Sequence, residues 1–119
     1  MLLKKKEYDE NYIGLEWFVK KAEVNPFFER GWGNGYAIVP RNNSLYKLSL
    51  EEVYRVVSDD FFIDSELTWA GEMDHEGKLY QVLGFDTAHA MDSQITWPKE
   101  KVEQQAKLLA KKIKKYNKC

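Results

Sequence analysis

The residues best suited to chemistry are two carboxylates and an imidazole in the segment 84–92, which reads Gly-Phe-Asp-Thr-Ala-His-Ala-Met-Asp. Asp86, His89 and Asp92 are spaced three residues apart, so on a helical turn they would share one face. A carboxylate beside an imidazole orients the ring and sets its tautomer, which is the minimum for general acid–base catalysis. The triplet could also begin a metal site, but three ligands so close in sequence rarely complete one alone. The structural alternative is that Asp86 caps a turn and His89 bonds a backbone carbonyl.

Aromatic residues among glycines form a second group of candidates. Trp32 and Tyr36 lie in the glycine-rich segment 31–36, where glycines would let the backbone approach a ligand and aromatic rings could stack on it. The glycine spacing matches neither a phosphate loop nor a dinucleotide fingerprint, and the alternative is a tight turn with aromatic core contacts. We assign no catalytic or metal-binding residue. We expect a ligand-binding surface built from Trp32, Tyr36, Thr68, Trp69, Asp86, His89 and Asp92.

The strands that would position these residues are only partly clear from the pattern. Residues 12–24 alternate in hydropathy and favour a strand, although residues 8–21 also fit a helical period. The segment 31–35 predicts a turn, followed by a strand over 36–39 that stops at Pro40. Residues 61–69 and 78–85 predict an antiparallel hairpin with its turn at 74–77. Glu66 would then project near Asp86 across the hairpin, or remain a solvated carboxylate on its outer face.

Two helices complete the predicted fold. Ser49 and Glu52 form a capping box, which predicts a short helix over 49–57. Pro98 suits a first helical turn, and apolar residues at spacings of three and four predict a helix over 98–116. Its apolar stripe would face the sheet or a partner helix in a homo-oligomer. The predicted class is α+β, in a single domain over residues 1–119: a small antiparallel sheet with a short central helix and a long C-terminal amphipathic helix packed on one face. The stripe consists of Val102, Ala106, Leu109, Ile113 and Tyr116.

Charge and composition exclude several partner classes. The net charge of −1 gives no bulk attraction to nucleic acid or anionic lipid. Residues 58–76 hold seven acids and no lysine or arginine, so this stretch could occupy a basic groove on a partner or form a solvated loop. The single cysteine, Cys119, fits a reducing, cytoplasmic setting, and no apolar run approaches the ~20 residues of a membrane span. We expect no cofactor, no membrane association and no direct nucleic-acid binding.

Three segments together resemble a family of short uncharacterised proteins common in phage and prophage genomes. Residues 35–40, 66–71 and 84–92 are similar to that family's motifs Gly-Tyr-Val-x-Val-Pro, Gly-Leu-Thr-Tyr/Phe-x-Gly and Gly-Phe-Asp-x-Ala-His-x-x-Asp, in the same order. Two further family histidines fall at Asp64 and near Asn43, so His89 alone remains here. The resemblance implies a viral or mobile-element setting, in the host cytoplasm, where small proteins bind host factors or signalling molecules.

The resulting functional prediction is a phage-type accessory protein that acts by binding. It would block a host defence protein or sequester a small nucleotide-like ligand. Two alternatives remain open at this point. One is a small hydrolase that uses Asp86 and His89 as an acid–base pair, and the other is a structural or assembly protein whose motif organises the fold.

Overall fold

The structure, a computed structural model, describes residues 6–7 and 16–118. These residues form an α+β fold, as predicted. A 3₁₀ turn at Asp59–Phe61 lies between the first helix and the fourth strand. The strands and helices are β1 (Lys6–Glu7), β2 (Trp17–Lys21), β3 (Gly33–Ile38), α1 (Leu50–Val56), β4 (Trp69–His75), β5 (Lys78–Phe85) and α2 (Lys99–Lys114).

The sheet is antiparallel in the order β2-β3-β5-β4, and the short β1 adds to β5 in parallel. Lys21 pairs with Gly33, so β2 ends where β3 begins. Gly84 pairs with Tyr36 on one side and with Trp69 on the other, so β5 ends where β4 begins. As a result, the segments after β2 and β5 lie at the same end of the sheet as the residues that lead into β3 and β4. We call this the loop end.

The long helix α2 covers one face of the sheet, and its predicted stripe is confirmed. Val102, Ala106 and Leu109 are fully buried, Ile113 is 1% exposed, and Tyr116 packs at the edge of the same cluster. The opposite face of the sheet carries a second cluster of buried side chains. The sheet therefore has apolar side chains on both faces. The second cluster consists of Phe18, Tyr36, Ile38, Tyr80 and Val82.

The short helix α1 begins at the predicted capping box. The Ser49 hydroxyl accepts a hydrogen bond from the Glu52 amide at 3.2 Å, and the Glu52 carboxylate accepts one from the Ser49 amide at 2.9 Å. That backbone hydrogen bond lowers the pKa of Glu52. Further along the helix, the Tyr54 hydroxyl donates to the Leu67 carbonyl at 3.0 Å and accepts from the Leu67 amide at 3.1 Å. This side chain therefore ties α1 to the segment that leads into β4.

The predicted hairpin exists, but its first strand lies later than predicted. The strand is Trp69–His75 rather than 61–69, and residues 61–68 run over the core as a 3₁₀ turn and coil. Glu76 and Gly77 both have positive φ, 53° and 83°, which fits a tight two-residue turn that pairs His75 directly with Lys78. Of the four residues predicted for the turn, Glu76 and Gly77 form it, whereas Asp74 and His75 belong to β4. Glu66 precedes β4, so it does not lie on the strand whose alternation was expected to bring it near Asp86.

The predicted turn at 31–35 is also partly wrong, because β3 already begins at Gly33 and ends at Ile38. The glycines of this segment let atoms of neighbouring strands pack closely against β3. A Cβ on Gly33 would lie 2.1 Å from the Lys20 carbonyl oxygen, and one on Gly35 would lie 2.4 Å from the Phe85 ring. The strand predicted over 12–24 is found at 17–21, and residues 8–15 lie outside the described residues.

The stretch of seven acids is divided between two places. Its first part lies beside α2, where the Lys112 ammonium donates to the carbonyl oxygens of Asp60 and Phe62, and Gln105 accepts from the Asp64 amide at 2.9 Å. The Ser58 hydroxyl, which bonds the Asp60 carboxylate, lowers the pKa of that group. The last acids lie on the β4–β5 hairpin. The stretch therefore does not form one continuous acidic surface. In the described part of the chain, neither helix is long and apolar enough to cross a lipid bilayer.

Leu109→Ala is expected to lower the free energy of unfolding by about 2–5 kcal/mol, because it removes apolar contacts and leaves a cavity under α2. The neighbouring Leu108 is 37% exposed, so Leu108→Ala is the matched control and should cost less than about 1 kcal/mol. Urea denaturation followed by circular dichroism measures both. Equal losses in the two variants would show that this face of the helix is not the core.

Candidate functional site

A buried threonine joins the segments at the loop end. Thr87 is fully buried; its hydroxyl donates to the Gly33 carbonyl at 2.6 Å and its own carbonyl accepts from the Gly31 amide at 2.7 Å. The Trp32 amide donates to the Trp97 carbonyl at 2.9 Å. A Cβ on Gly31 would lie 2.5 Å from Thr87 and 2.6 Å from Trp97. The segment after β5 is therefore fastened to the segment before β3, and only glycine fits at position 31.

The predicted triplet of Asp86, His89 and Asp92 does come together. The His89 Nδ1 lies 3.2 Å from Asp92 Oδ2 and 3.7 Å from Asp86 Oδ1. Both carboxylates also cap the turn: Asp86 accepts from the Ala88 amide at 3.0 Å and Asp92 accepts from the His89 amide at 2.9 Å. The triplet thus orders the segment after β5 and leaves the His89 side chain 43% exposed.

Among the described residues, the side-chain partners of the His89 ring are two carboxylates. In residues 6–7 and 16–118, no serine, threonine or cysteine is hydrogen-bonded to the His89 ring, so no activated nucleophile accompanies the imidazole. The described residues likewise contain no group of three or more histidine, cysteine, aspartate and glutamate side chains arranged to hold a metal ion. The arrangement can orient an imidazole and accept hydrogen bonds at the surface.

Four of the predicted site residues line a small cavity at the loop end, which we call the aromatic slot. Its volume is about 190 Å³, and its walls include Trp69 from β4 and Tyr36 from β3. Gly84, the residue between them in the sheet, has no side chain, and the Tyr36 ring lies over it. A Cβ there would lie 2.6 Å from the Tyr36 ring. The lining residues are Asn34, Tyr36, Thr68, Trp69, Met73, Phe85 and Asp86.

A second and larger cavity, which we call the loop cavity, lies between the segment after β2 and the segment 93–95. Its volume is about 390 Å³, and Trp32 lines it rather than the aromatic slot. The structure therefore separates Trp32 from Tyr36, although both come from the same glycine-rich segment. Lys99 lies over the Trp32 ring, 5.5 Å from its centre, which is a cation–π contact from the start of α2.

Exposed apolar side chains border the loop cavity. Val24, Phe28 and Ile95 line it and are 81%, 47% and 91% exposed, while Phe27, the neighbour of Phe28, is 97% exposed. We call these four side chains the apolar rim. The sequence analysis missed the rim, because Val24, Phe27 and Phe28 surround Pro26 in a segment with no periodic pattern. The signal available was an apolar cluster beside a proline, a position that favours a turn.

Met91 adds a further exposed apolar side chain to the segment after β5. Its φ is 74° and it is 92% exposed. The Asp92 amide donates to the His89 carbonyl at 3.0 Å, so Met91 occupies the position of a turn that usually takes glycine. A left-handed backbone costs a residue with a side chain roughly 1–2 kcal/mol. The turn therefore presents an apolar side chain to solvent at an energetic cost.

Comparison with protein-family models, curated proteins and solved structures finds no match to this chain.

Thr87→Val is expected to destabilise the fold by about 1–3 kcal/mol, because it keeps the side-chain volume but leaves the buried Gly33 carbonyl without its donor. His89→Ala should cost less than about 1 kcal/mol, because its ring is partly exposed and the Asp92 cap to the backbone remains. Urea denaturation of both variants, with Thr87→Ser as the variant that retains the hydroxyl, measures the difference. A larger loss for His89→Ala than for Thr87→Val would show that the imidazole, and not the threonine, holds this segment.

Proposed function

We propose that this protein acts by binding another protein, which docks on the apolar rim and loop cavity and is blocked by the contact. The observation that carries the proposal is the exposure of the rim. Val24, Phe27 and Ile95 are each more than 80% exposed, and they are contributed by two segments that meet around one cavity. Contiguous exposed apolar side chains around a concavity are typical of protein-binding surfaces.

The charges around the loop cavity favour an uncharged, apolar occupant. Its lining includes Lys21 and Arg30 but also Glu23 and Glu29, so the cavity carries no net formal charge. Nucleic-acid sites, by contrast, need an excess of basic groups to contact phosphates. Aromatic side chains such as Phe27 and Phe28 are the type of residue that provides most of the binding energy at protein interfaces.

Arg30 adds a polar contact in the wall of the loop cavity. Its Nη2 donates to the Asn34 side-chain oxygen at 2.6 Å, but its buried Nε finds no acceptor among the described residues. An unmatched buried donor costs about 1–3 kcal/mol.

The setting of the proposal comes from the resemblance to short phage and prophage proteins. In that setting the partner would be a host protein, such as a component of a defence system, and occupation of its surface would block it. A blocking protein needs no catalytic group, which is consistent with the His89 geometry.

Phe27→Ser and Ile95→Ser are expected to weaken partner binding at least tenfold, about 1.4 kcal/mol or more for each variant. Host lysate is passed over the immobilised wild-type protein, and the retained host protein is purified and titrated against each variant. The matched control is Val56→Ser, which changes an apolar side chain on α1 that is 53% exposed. The control should bind like the wild type. All three positions are exposed, so the variants should remain folded.

Two outcomes would contradict the proposal. In the first, no host protein is retained in a way that depends on Phe27 and Ile95. In the second, analytical ultracentrifugation shows that the wild-type protein self-associates and that both rim variants are monomeric. That result would make a second copy of the chain the occupant of the rim.

A further inference from the structure

We propose that the aromatic slot binds a guanidinium group, either of a small molecule or of an arginine side chain. The slot shares no lining residue with the loop cavity, so the inference goes beyond the proposed function and does not depend on it. It concerns a second binding site at the same end of the sheet.

The walls of the slot suit a flat group. Trp69 is 43% exposed, and its indole packs against Gly71, with ring atoms 3.7–3.9 Å from the position of a Cβ there. Tyr36 also borders the slot, with its ring lying over Gly84 and stacked on Phe18. A planar group can therefore lie against the exposed indole of Trp69, whose face attracts cations.

The polar end of the slot suits a cation with paired N–H donors. Asp86 Oδ1 accepts from the Ala88 amide at 3.0 Å and lies 3.7 Å from the His89 ring. Its Oδ2 has no hydrogen-bond partner among the described residues. A carboxylate held in this way can accept the parallel N–H groups of a guanidinium, which bind carboxylates in a bidentate geometry. The Thr68 side chain and the Tyr36 hydroxyl add further oxygen acceptors to the lining.

Size and charge disfavour a whole nucleotide. The volume of about 190 Å³ corresponds to roughly six water molecules, which matches a guanidinium with its adjoining methylene groups. The lining contains one carboxylate and no lysine or arginine, so a phosphate would face Asp86 without a cation on the lining to offset it. Arg30 donates to the side-chain oxygen of Asn34 at 2.6 Å and is not itself a lining residue. The slot therefore favours a small cation over the nucleotide-like ligand expected from the sequence.

The test titrates the full chain with agmatine and with a blocked Gly-Arg-Gly peptide, followed by ¹H–¹⁵N NMR of the Trp69 indole and the Gly84 amide. Agmatine reports on a small-molecule source and the peptide on a protein-borne arginine. Blocked peptides with lysine or citrulline in place of arginine are the controls, because lysine lacks the planar guanidinium group and citrulline lacks its positive charge. We expect saturable shifts with one or both guanidinium ligands, at least tenfold weaker binding of the controls, and no saturable shift with guanosine monophosphate.

Two variants assign the binding to the slot. Asp86→Asn can still cap the turn through its side-chain oxygen but loses the charge, and Trp69→Leu removes one aromatic wall. Each should weaken guanidinium binding at least tenfold, while the rim variant Phe27→Ser should bind as the wild type does. Dispersed NMR spectra show whether each variant is folded. If one variant is unfolded, the other variant alone tests the assignment. The inference is overturned if neither guanidinium ligand shifts these signals up to about 10 mM. It is also overturned if the lysine or citrulline peptide or guanosine monophosphate binds as tightly, or if a folded variant binds undiminished.

Discussion

The hydrogen bond from the buried Thr87 hydroxyl to the Gly33 carbonyl is the contact on which the loop end depends. It fixes the segment after β5 against the start of β3, and the Gly31 amide completes the attachment through the Thr87 carbonyl. Both cavities lie beside this junction. If the threonine hydroxyl were lost, a buried carbonyl would be left without a donor and the junction would be weakened. Asp86 and Asp92, which the sequence suggested as site residues, also hold the segment after β5 in place, because their carboxylates accept from backbone amides there.

Glycines make the cavities possible through the space they leave. Gly31 lets the two segments touch, and Gly84 lets the Tyr36 ring lie over β5 at the border of the aromatic slot. The same sheet therefore supports two different surfaces at one end. One is apolar, charge-balanced and open, which suits a protein partner. The other is narrow, aromatic and acidic, which suits a small planar cation. The two surfaces share no lining residue, so each can be altered without the other.

Exposed apolar side chains invite self-association. Among the described residues, the most exposed large apolar side chains lie at the loop end: Val24, Phe27 and Ile95, with Met91 held outward by a left-handed turn. The apolar stripe of α2, by contrast, is buried against the sheet. This exposed apolar surface at the loop end is the feature on which the proposed binding function rests, and the His89 ring bonds Asp92 in the same segment.

Local patterns in the sequence determined the helices, because the capping box at Ser49 and the stripe through Leu109 depend on neighbours within a turn or two. They also determined the proximity of Asp86 and His89, three residues apart. The alternating pattern also predicted β5 at 78–85 and its antiparallel hairpin. Only the tertiary structure decided how the remaining segments meet. The turn at Glu76 and Gly77 set the register of β4, which moved Glu66 off the strand. Strand pairing across Gly84 joined Trp69 to Tyr36 and left Trp32 in a different cavity. Such contacts between distant segments depend on strand register and on the positions of glycines in the sheet. A local hydrophobic period determines neither.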